Sequence, residues 1–252
     1  MFSWHKISKK PLIIAHRGSS ATAPENTMAA FKKAIEDKAQ AIEVDVRLTR
    51  DNEVVVIHDS RLERTTNGRG KIADFYLKDL QTLDNGSWFH PKYSGEKILT
   101  LSQIFKITNN KMGINIEIKP LDKRQDIIVE KCVALTQCCR MQKRVLISSF
   151  QHSLIKKIKS LDPTIMTGII YSPVIHFGKK PATLASKYNA DAFVISKNYL
   201  RENMVIDAHE NNLAVLVYTV EDYHDLERMI KFKVDGVMTN TPRNINRILE
   251  AR

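Results

Sequence analysis

The sequence is short of cysteine, which excludes a fold held together by disulfide bonds. Its three cysteines, Cys132, Cys138 and Cys139, are an odd number and lie together on one predicted helix. The adjacent Cys138 and Cys139 could in principle bind a soft metal, but the sequence has no second cysteine pair to complete a zinc site. We therefore interpret all three as reduced thiols with a structural role.

Long apolar segments are also missing. No stretch reaches the roughly 18 consecutive apolar residues that suggest a membrane span. The first ten residues, MFSWHKISKK, are too polar to form the apolar core of a secretory signal. Both absences predict a cytoplasmic protein without stable membrane insertion.

Linkers, low-complexity stretches and a seam between domains are absent as well. The 252 residues, of which 43% are hydrophobic and 27% charged, have the balance of a globular protein. A chain of this length can bury most of its apolar surface, and it has the usual size of one α/β barrel. We therefore predict a single domain that spans residues 1–252.

The net charge of +11 is a strong compositional bias. A basic surface suits an anionic substrate, and it also suits nucleic acid or an anionic membrane face. The basic residues are spread along the chain, and the cluster Lys156, Lys157 and Lys159 has the spacing of a solvated helix face. Because no nucleic-acid-binding motif accompanies the charge, we expect an anionic small molecule as partner and no nucleic acid.

Short apolar runs alternate with helical patterns along the chain. Most of the runs are nearly continuously apolar, as expected of strands covered on both faces. The eight runs are Pro11–Ala15, Ala41–Val46, Ile114–Ile118, Val145–Ser148, Thr167–Ile170, Ala192–Ile195, Ala214–Tyr218 and Gly236–Met238. The segments between them, such as Asn26–Asp37 and Asp222–Phe232, have helical periodicity. This alternation predicts an α/β protein, a parallel (β/α)8 TIM barrel.

One interval breaks the rhythm of strand and helix. Roughly seventy residues separate the second and third predicted strands, against about twenty to thirty elsewhere. The interval contains a further strand-like run, Glu53–Ile57, and the turn-rich segment Thr65–Gly70. We therefore predict a small insertion between the second and third barrel strands.

Two histidines end apolar runs, and the C-terminal strand ends are where such barrels carry catalytic groups. His16 closes the first strand, and His58 follows the apolar run Val54–Ile57. One histidine at an apolar edge is usually a satisfied polar residue, but two that each end a strand suggest an acid and a base. Arg17, next to His16, presents a planar set of donors that matches phosphate oxygens.

Carboxylates are spaced to share one side of the predicted strands. Glu43 and Asp45 lie two residues apart on the second strand, so both side chains point the same way. Buried together they require a cation, and a hard divalent ion binds through oxygen ligands. The alternative, an exposed strand end with ordinary ion pairs, is disfavoured by the apolar flanks. Glu117 on the third strand could complete a three-carboxylate site, and Lys119 on the same face could meet a phosphate.

This inventory of carboxylates, histidines and cations suits attack on phosphorus. Uncatalysed phosphodiester hydrolysis is extremely slow, so a site must stabilise the developing charge and protonate the leaving oxygen. A metal with cations performs the first task and a histidine the second.

The motifs also resemble, in order and spacing, the signature of the glycerophosphodiester phosphodiesterases. They are His16-Arg17-Gly18, Pro24-Glu25-Asn26-Thr27, Glu43-Val44-Asp45, His58-Asp59 and Glu117-Ile118-Lys119. The resemblance continues through Gly86–Phe89, Ser148–Phe150 and Asp235–Asn240, and so covers nearly the whole chain.

The resemblance implies a metal site and a substrate. A divalent ion, Mg²⁺ or Ca²⁺, would be bound by Glu43, Asp45 and Glu117. Glu25 would either join these ligands, or open the first helix and support the ligands from outside the metal site. The substrate would be a small glycerophosphodiester, cleaved to glycerol 3-phosphate and an alcohol. Either the glycerol hydroxyl attacks first to give a cyclic phosphodiester, or water attacks directly.

The resemblance also implies roles for the other groups. His16 and His58 would be the acid–base pair, and Arg17 and Lys119 would hold the phosphate. The segment of about residues 46–98 would correspond to the family's small insertion, which caps the site.

Three departures from the family pattern concern the substrate rather than the reaction. Tyr218 stands where tryptophan is common, and as it lies at a strand end we expect it to shape the pocket for the glycerol or the alcohol group. The other departures are Leu99-Thr100-Leu101 in place of Pro-Thr-Leu, and Thr239-Asn240-Thr241-Pro242 in place of Thr-Asp-x-Pro.

Two other interpretations stay open. A phospholipase D-like relative on the same barrel would act on lysophospholipids, and Phe2 and Trp4 would then be candidates for membrane contact, although such residues more often pack. A protein that only binds glycerophosphodiesters would need no catalysis, but none of the signature histidines or carboxylates is missing.

Overall fold

The computed structural model describes residues 2–5, 10–109, 111–119 and 124–251. The strands in these ranges are β1 (Leu12–His16), β2 (Ala41–Leu48), β3 (Val54–Val56), β4 (Leu99–Thr100), β5 (Gly113–Ile118), β6 (Val145–Ser149), β7 (Met166–Ile170), β8 (Ala192–Ser196), β9 (Ala214–Tyr218) and β10 (Gly236–Thr239). The α-helices are α1 (Met28–Glu36), α2 (Leu77–Leu80), α3 (Leu101–Thr108), α4 (Gln125–Cys138), α5 (His152–Leu161), α6 (Pro173–His176), α7 (Pro181–Tyr188), α8 (Glu202–Glu210), α9 (Tyr223–Phe232) and α10 (Pro242–Glu250).

Eight of the strands form a closed parallel barrel. Their hydrogen-bonded order is β1, β2, β5, β6, β7, β8, β9 and β10, and β10 pairs again with β1. Helices connect successive barrel strands, as in other (β/α)8 barrels. The predicted TIM-barrel fold is therefore confirmed, and each predicted barrel strand is present with its ends shifted by at most two residues.

The structure contains helices that were not singled out from the sequence, chiefly α3 and α10. It also decides where α1 begins. Asn26 and Thr27 both have side chains that can cap a helix, and it is the Thr27 side chain that accepts the hydrogen bond from the Ala30 N–H.

The apolar core has two layers, because alternate residues of each barrel strand face inward and outward. Ile13, Val44 and Ile116 are examples of strand residues that pack outward among the helices. The inner layer is apolar near the N-terminal ends of the strands, where Trp4 is 1% exposed and packs with residues such as Ala41. Phe2 meets Trp4 edge to face, with the ring centroids 5.1 Å apart. The two N-terminal aromatic residues therefore have the packing role that was considered the more usual one.

The segment between β2 and β5 adds two short strands beside the barrel. β3 pairs antiparallel with β2, and β4 pairs antiparallel with β3. The segment also has a small apolar core of its own, which contains Val55, Ile57, Leu62, Ile72, Leu80 and Ile98. The strand-like run Glu53–Ile57 is thereby accounted for, while the bounds of 46–98 for a capping insertion stay a prediction.

The structure bears on two of the absences noted in the sequence, disulfide bonds and membrane spans. All three cysteines are free thiols, and burial raises the pKa of Cys132 to about 12. Across the described ranges, no helix combines the length and the apolar character needed to cross a bilayer.

Candidate active site

Three carboxylates meet at the C-terminal end of the barrel. Glu43 and Asp45 lie on β2, and the register places Asp45 beside Glu117 on the neighbouring strand β5. One oxygen of each carboxylate lies within 4.8 Å of the others. Glu43 and Asp45 are buried, at 1% and 0% exposed, whereas Glu117 is partly exposed. The structure therefore brings together the three residues that the strand spacing pointed to.

Two cations lie against these carboxylates. Lys119 Nζ lies 2.7 Å from Asp45 Oδ1 and also contacts Glu117. Arg17 Nε lies 3.0 Å from Asp45 Oδ2. Burial alone would raise the pKa of Asp45, but Lys119 and Arg17 hold it well below its usual range. Both residues expected to hold a phosphate thus border the carboxylate cluster.

The charge of Glu43 is less well compensated. Its Oε2 accepts a hydrogen bond from the Arg17 N–H at 3.0 Å, whereas its Oε1 is buried and accepts none from the residues described. Burial, together with Asp45 and Glu117, raises the pKa of Glu43 well above its ordinary value. An unpartnered buried oxygen among mutually repelling carboxylates is what an oxygen-ligated divalent cation would satisfy. The residues therefore fit a hard metal ion.

The turn after β1 reaches this cluster through an unusual backbone. Arg17 and Asn26 have φ values of 56° and 58°, in the left-handed region. Gly18 has a φ of 83°, and a Cβ built there would lie 2.7 Å from the backbone of Ala30. The turn thus requires glycine at position 18, and it directs the Arg17 N–H at Glu43.

His16 is oriented by an amide. Its Nδ1 lies 2.8 Å from Oδ1 of Asn240, which also accepts a hydrogen bond from the Ser20 hydroxyl. Because a carbonyl oxygen can only accept, Nδ1 carries the proton and Nε2 presents a lone pair. Nε2 lies 4.0 Å from Glu43 Oε2. Burial, followed by the charge of Arg17, lowers the pKa of His16 to about 4.

His58 is oriented by a chain of ion pairs. Its Nδ1 lies 2.6 Å from Asp59 Oδ1, and Asp59 Oδ2 accepts from Arg64 Nε at 2.7 Å. Arg64 also donates to both oxygens of Glu25 at 2.8 Å, and Arg17 donates to Glu25 at 2.9 Å. Burial lowers the pKa of His58. Glu25 therefore lies outside the three-carboxylate cluster and connects Arg17 to the support of His58.

Two residues of the site were missed or misjudged from the sequence. Asn26 was assigned only to the start of the helical segment Asn26–Asp37, but it is 2% exposed and its Nδ2 donates to Asp45 Oδ2 at 2.9 Å. Its place in the ordered motif Pro24–Thr27 was the available signal. Arg64 was not considered, because no local pattern distinguishes it from other surface arginines.

Tyr218 lies at the C-terminal end of β9, on the same end of the barrel as the carboxylates. Burial, with the nearby Glu117 and Tyr199, raises the pKa of its phenol to about 12. The phenol is therefore protonated near neutral pH and can donate a hydrogen bond.

Known proteins match this chain over almost its full length. The profile of the glycerophosphoryl diester phosphodiesterase family matches residues 16–244. A glycerophosphodiester phosphodiesterase of Caldanaerobacter subterraneus subsp. tengcongensis is 38% identical over 237 residues, covering 94% of this chain and 96% of the relative. One from Bacillus altitudinis is 31% identical over 242 residues, covering 94% and 98%.

Solved structures agree with these matches. An Oleispira antarctica phosphodiesterase in complex with the product sn-glycerol-3-phosphate superposes with a TM-score of 0.89 at 29% identity, covering 96% of this chain and 97% of the other. A glycerophosphodiester phosphodiesterase from Agrobacterium tumefaciens gives a TM-score of 0.82 at 27% identity, covering 94% and 99%. The family match includes the histidines and carboxylates of the barrel end described above. This chain belongs to the glycerophosphoryl diester phosphodiesterase family, whose members are phosphoric diester hydrolases.

Proposed function

We propose that the protein hydrolyses glycerophosphodiesters to sn-glycerol 3-phosphate and an alcohol, with a divalent metal, Mg²⁺ or Ca²⁺, and two histidines. The observation that carries the proposal is the carboxylate group Glu43, Asp45 and Glu117, which is adjacent to His16 on one side chain and to Lys119 on another. The substrate class is supported by the related Oleispira antarctica phosphodiesterase, which was solved in complex with the product sn-glycerol-3-phosphate.

The three carboxylates are the proposed metal ligands. The ion, when bound, would polarise a phosphoryl oxygen and stabilise the charge that develops there. The unpartnered Oε1 of Glu43 supports this assignment. Asn26 would keep Asp45 in place through its hydrogen bond to Oδ2, so it is a positioning residue.

The two histidines differ in what holds their Nδ1 atoms. Burial and the charge of Arg17 lower the pKa of His16, although the hydrogen bond to the neutral amide oxygen of Asn240 acts in the opposite direction, so its Nε2 suits a general base. Burial also lowers the pKa of His58, but its Nδ1 is paired with the charged Asp59 carboxylate, which opposes that shift and favours the protonated ring. We therefore assign His16 to proton abstraction from the attacking hydroxyl or water, and His58 to protonation of the leaving oxygen.

Arg17 and Lys119 are the proposed phosphate ligands. Both already neutralise Asp45, and their donors lie beside the space that the carboxylates border. A bound phosphodiester would bring its own negative charge to the same two cations. Tyr218, protonated and at the neighbouring strand end, is the proposed hydrogen-bond donor to the glycerol or the alcohol group.

The test is release of glycerol 3-phosphate from glycerophosphocholine and glycerophosphoethanolamine, with Mg²⁺, with Ca²⁺ and with chelator. Lysophosphatidylcholine is assayed in parallel, because a lysophospholipase D-like activity would release choline from it. We expect metal-dependent release that is lost in His16→Ala, His58→Ala and Glu43→Gln.

Matched controls use residues of the same type away from the site. His90→Ala removes an exposed histidine whose side chain accepts from the Lys92 N–H, and Glu53→Gln removes a carboxylate paired with Lys131. Both controls should retain activity. Full activity in chelator, or in His16→Ala, would contradict the proposed roles. Binding without release from any substrate would support a protein that only binds glycerophosphodiesters.

A further inference from the structure

A second surface projects at the same end of the barrel as the carboxylates. In the segment between β7 and α7, Val174, Ile175 and Phe177 are 91%, 67% and 82% exposed. These three side chains are called the apolar tip below. Single exposed apolar residues are ordinary on a protein surface, but a contiguous projection of three large ones marks an interaction site.

The tip projects because the residue between its members is buried. His176 is 7% exposed and stacks on His152, with the ring centroids 4.5 Å apart. His176 Nδ1 accepts a hydrogen bond from the Ser172 N–H at 3.1 Å. His152 Nε2 lies 2.9 Å from the carbonyl oxygen of Ile170 at the end of β7. The stacked pair fixes α6 to the barrel and leaves the tip facing solvent.

Basic residues accompany the tip. Lys179 and Lys180 follow it directly and are both exposed. The acidic groups of this region, Asp207 and Glu210, line the cleft between the tip and α8, and Asp207 accepts a hydrogen bond from the Ala182 N–H at 2.8 Å. Lys179, Lys180 and Arg201 line the same cleft, so basic side chains outnumber acidic ones beside the tip, in a protein of net charge +11.

We propose that the apolar tip docks the protein on an anionic phospholipid surface, with its side chains among the acyl chains and Lys179 and Lys180 beside the lipid phosphates. An apolar face with flanking lysines is the pattern that binds the interface of an anionic bilayer. A symmetric contact with a second copy would instead bring the same lysines together. It would also need roughly 800 Å² from each partner, more than three side chains supply.

Docking would set the orientation of the barrel on the lipid surface. The tip follows the C-terminal end of β7, and the carboxylates lie at the C-terminal ends of β2 and β5. The end of the barrel that carries the carboxylates would therefore face the lipid. The docking does not depend on the proposed hydrolysis, because it can be measured without turnover.

The test is co-sedimentation of the full chain with vesicles of phosphatidylcholine containing phosphatidylglycerol, compared with vesicles of phosphatidylcholine alone. We expect binding to the anionic vesicles that weakens with added salt. Phe177→Ser should lower the partition coefficient by about tenfold, as the loss of one buried aromatic side chain implies. Lys179→Gln with Lys180→Gln should lower it by about 25-fold at low salt, or about fivefold per lysine.

The matched controls lie at the other end of the barrel. Leu161→Ser alters a 43% exposed leucine at the C-terminal end of α5, and Lys231→Gln with Lys233→Gln removes two exposed lysines at the end of α9. Both controls should bind like the parent chain, and circular dichroism should show that all variants are folded. Absence of vesicle binding, or equal binding by the Phe177→Ser variant, would overturn the proposal. A dimer in sedimentation velocity that Phe177→Ser dissociates would overturn it too, in favour of a contact between copies.

Discussion

The same eight strands surround both ends of the barrel interior, but one end is lined by apolar residues and the other by charged ones. At the N-terminal ends, Trp4, Ala41 and Leu216 belong to one buried apolar cluster, and the inner layer is apolar. At the C-terminal ends, Glu43 and Asp45 lie buried beside charged neighbours. The first arrangement stabilises the fold by removing apolar surface from water. The second costs stability, because buried like charges repel and must be desolvated.

One end of the barrel interior therefore stabilises the fold, and the other carries the groups for chemistry. Substitutions at the apolar end should lower stability, and substitutions at the charged end should lower activity. Burial and the neighbouring Asp45 and Glu117 raise the pKa of Glu43, so the folded protein without a metal disfavours the charge at this end of the barrel.

The largest expected effect is the loss of activity in Glu43→Gln. Removal of a proposed metal ligand should lower kcat/KM by at least about 10³-fold, which corresponds to ~4 kcal/mol of transition-state stabilisation. The free energy of unfolding without metal should not fall, because the substitution removes a repelled charge and preserves the shape of the side chain. Steady-state kinetics and urea unfolding measure the two quantities. An active variant, or one that is much less stable, would remove the distinction between the ends.

The converse test is Trp4→Ala at the apolar end. It should lower the free energy of unfolding by about 3 kcal/mol, the smaller end of the range for a buried tryptophan, because Phe2 beside it can shift into part of the space. The kcat/KM of the folded fraction should stay within about twofold, since no charged group of the site changes. A large loss of activity with no loss of stability would show that the two ends are coupled.

The stabilisation of the protein by a bound metal should depend on Glu43 and not on Trp4. A divalent ion at 100 times its dissociation constant should raise the free energy of unfolding by about 2.7 kcal/mol. Thermal unfolding with Mg²⁺ or Ca²⁺ and with chelator measures the gain. Trp4→Ala should keep the whole increment, and Glu43→Gln should lose it. An equal increment in both variants would place the ion elsewhere.

The smallest of these effects concerns the support of His58. Arg64→Gln removes the donors that connect Asp59 to Glu25, so kcat/KM should fall by about tenfold, or ~1.4 kcal/mol, through poorer orientation of His58. The matched control is Arg61→Gln, whose arginine pairs with the exposed Glu63. Unchanged kinetics in Arg64→Gln would show that Asp59 alone suffices to orient the ring.

Much of the fold could be predicted because strand signals are local. The apolar runs that end near His16 and begin at Ala41 lie within two residues of the observed strands. Helices α3 and α10 were not singled out, although Thr100 and Gln103 form a capping box at the start of α3. That short pattern could have indicated the helix, since it specifies a helix N-terminus directly.

Site residues that share a strand could be placed together from the sequence. Glu43 and Asp45 could be placed together from their spacing alone, because side chains two apart on a strand point the same way. Asn240 could not be placed beside His16, because the two residues are far apart along the chain. Arg64 could not be placed in support of His58, because it acts through an ion pair with Asp59 that no local pattern shows.

The alternation of strands and helices, the residue types at the strand ends and the shared side of Glu43 and Asp45 follow from local sequence. These properties depend on periodicity and on neighbours within a few positions. Three other features depend on the folded chain: Asn240 orients His16, Arg64 supports His58, and Phe177 projects while His176 is buried. Closure of the barrel pairs β10 with β1, and such long-range contacts are set by packing and charge among residues that are remote along the chain.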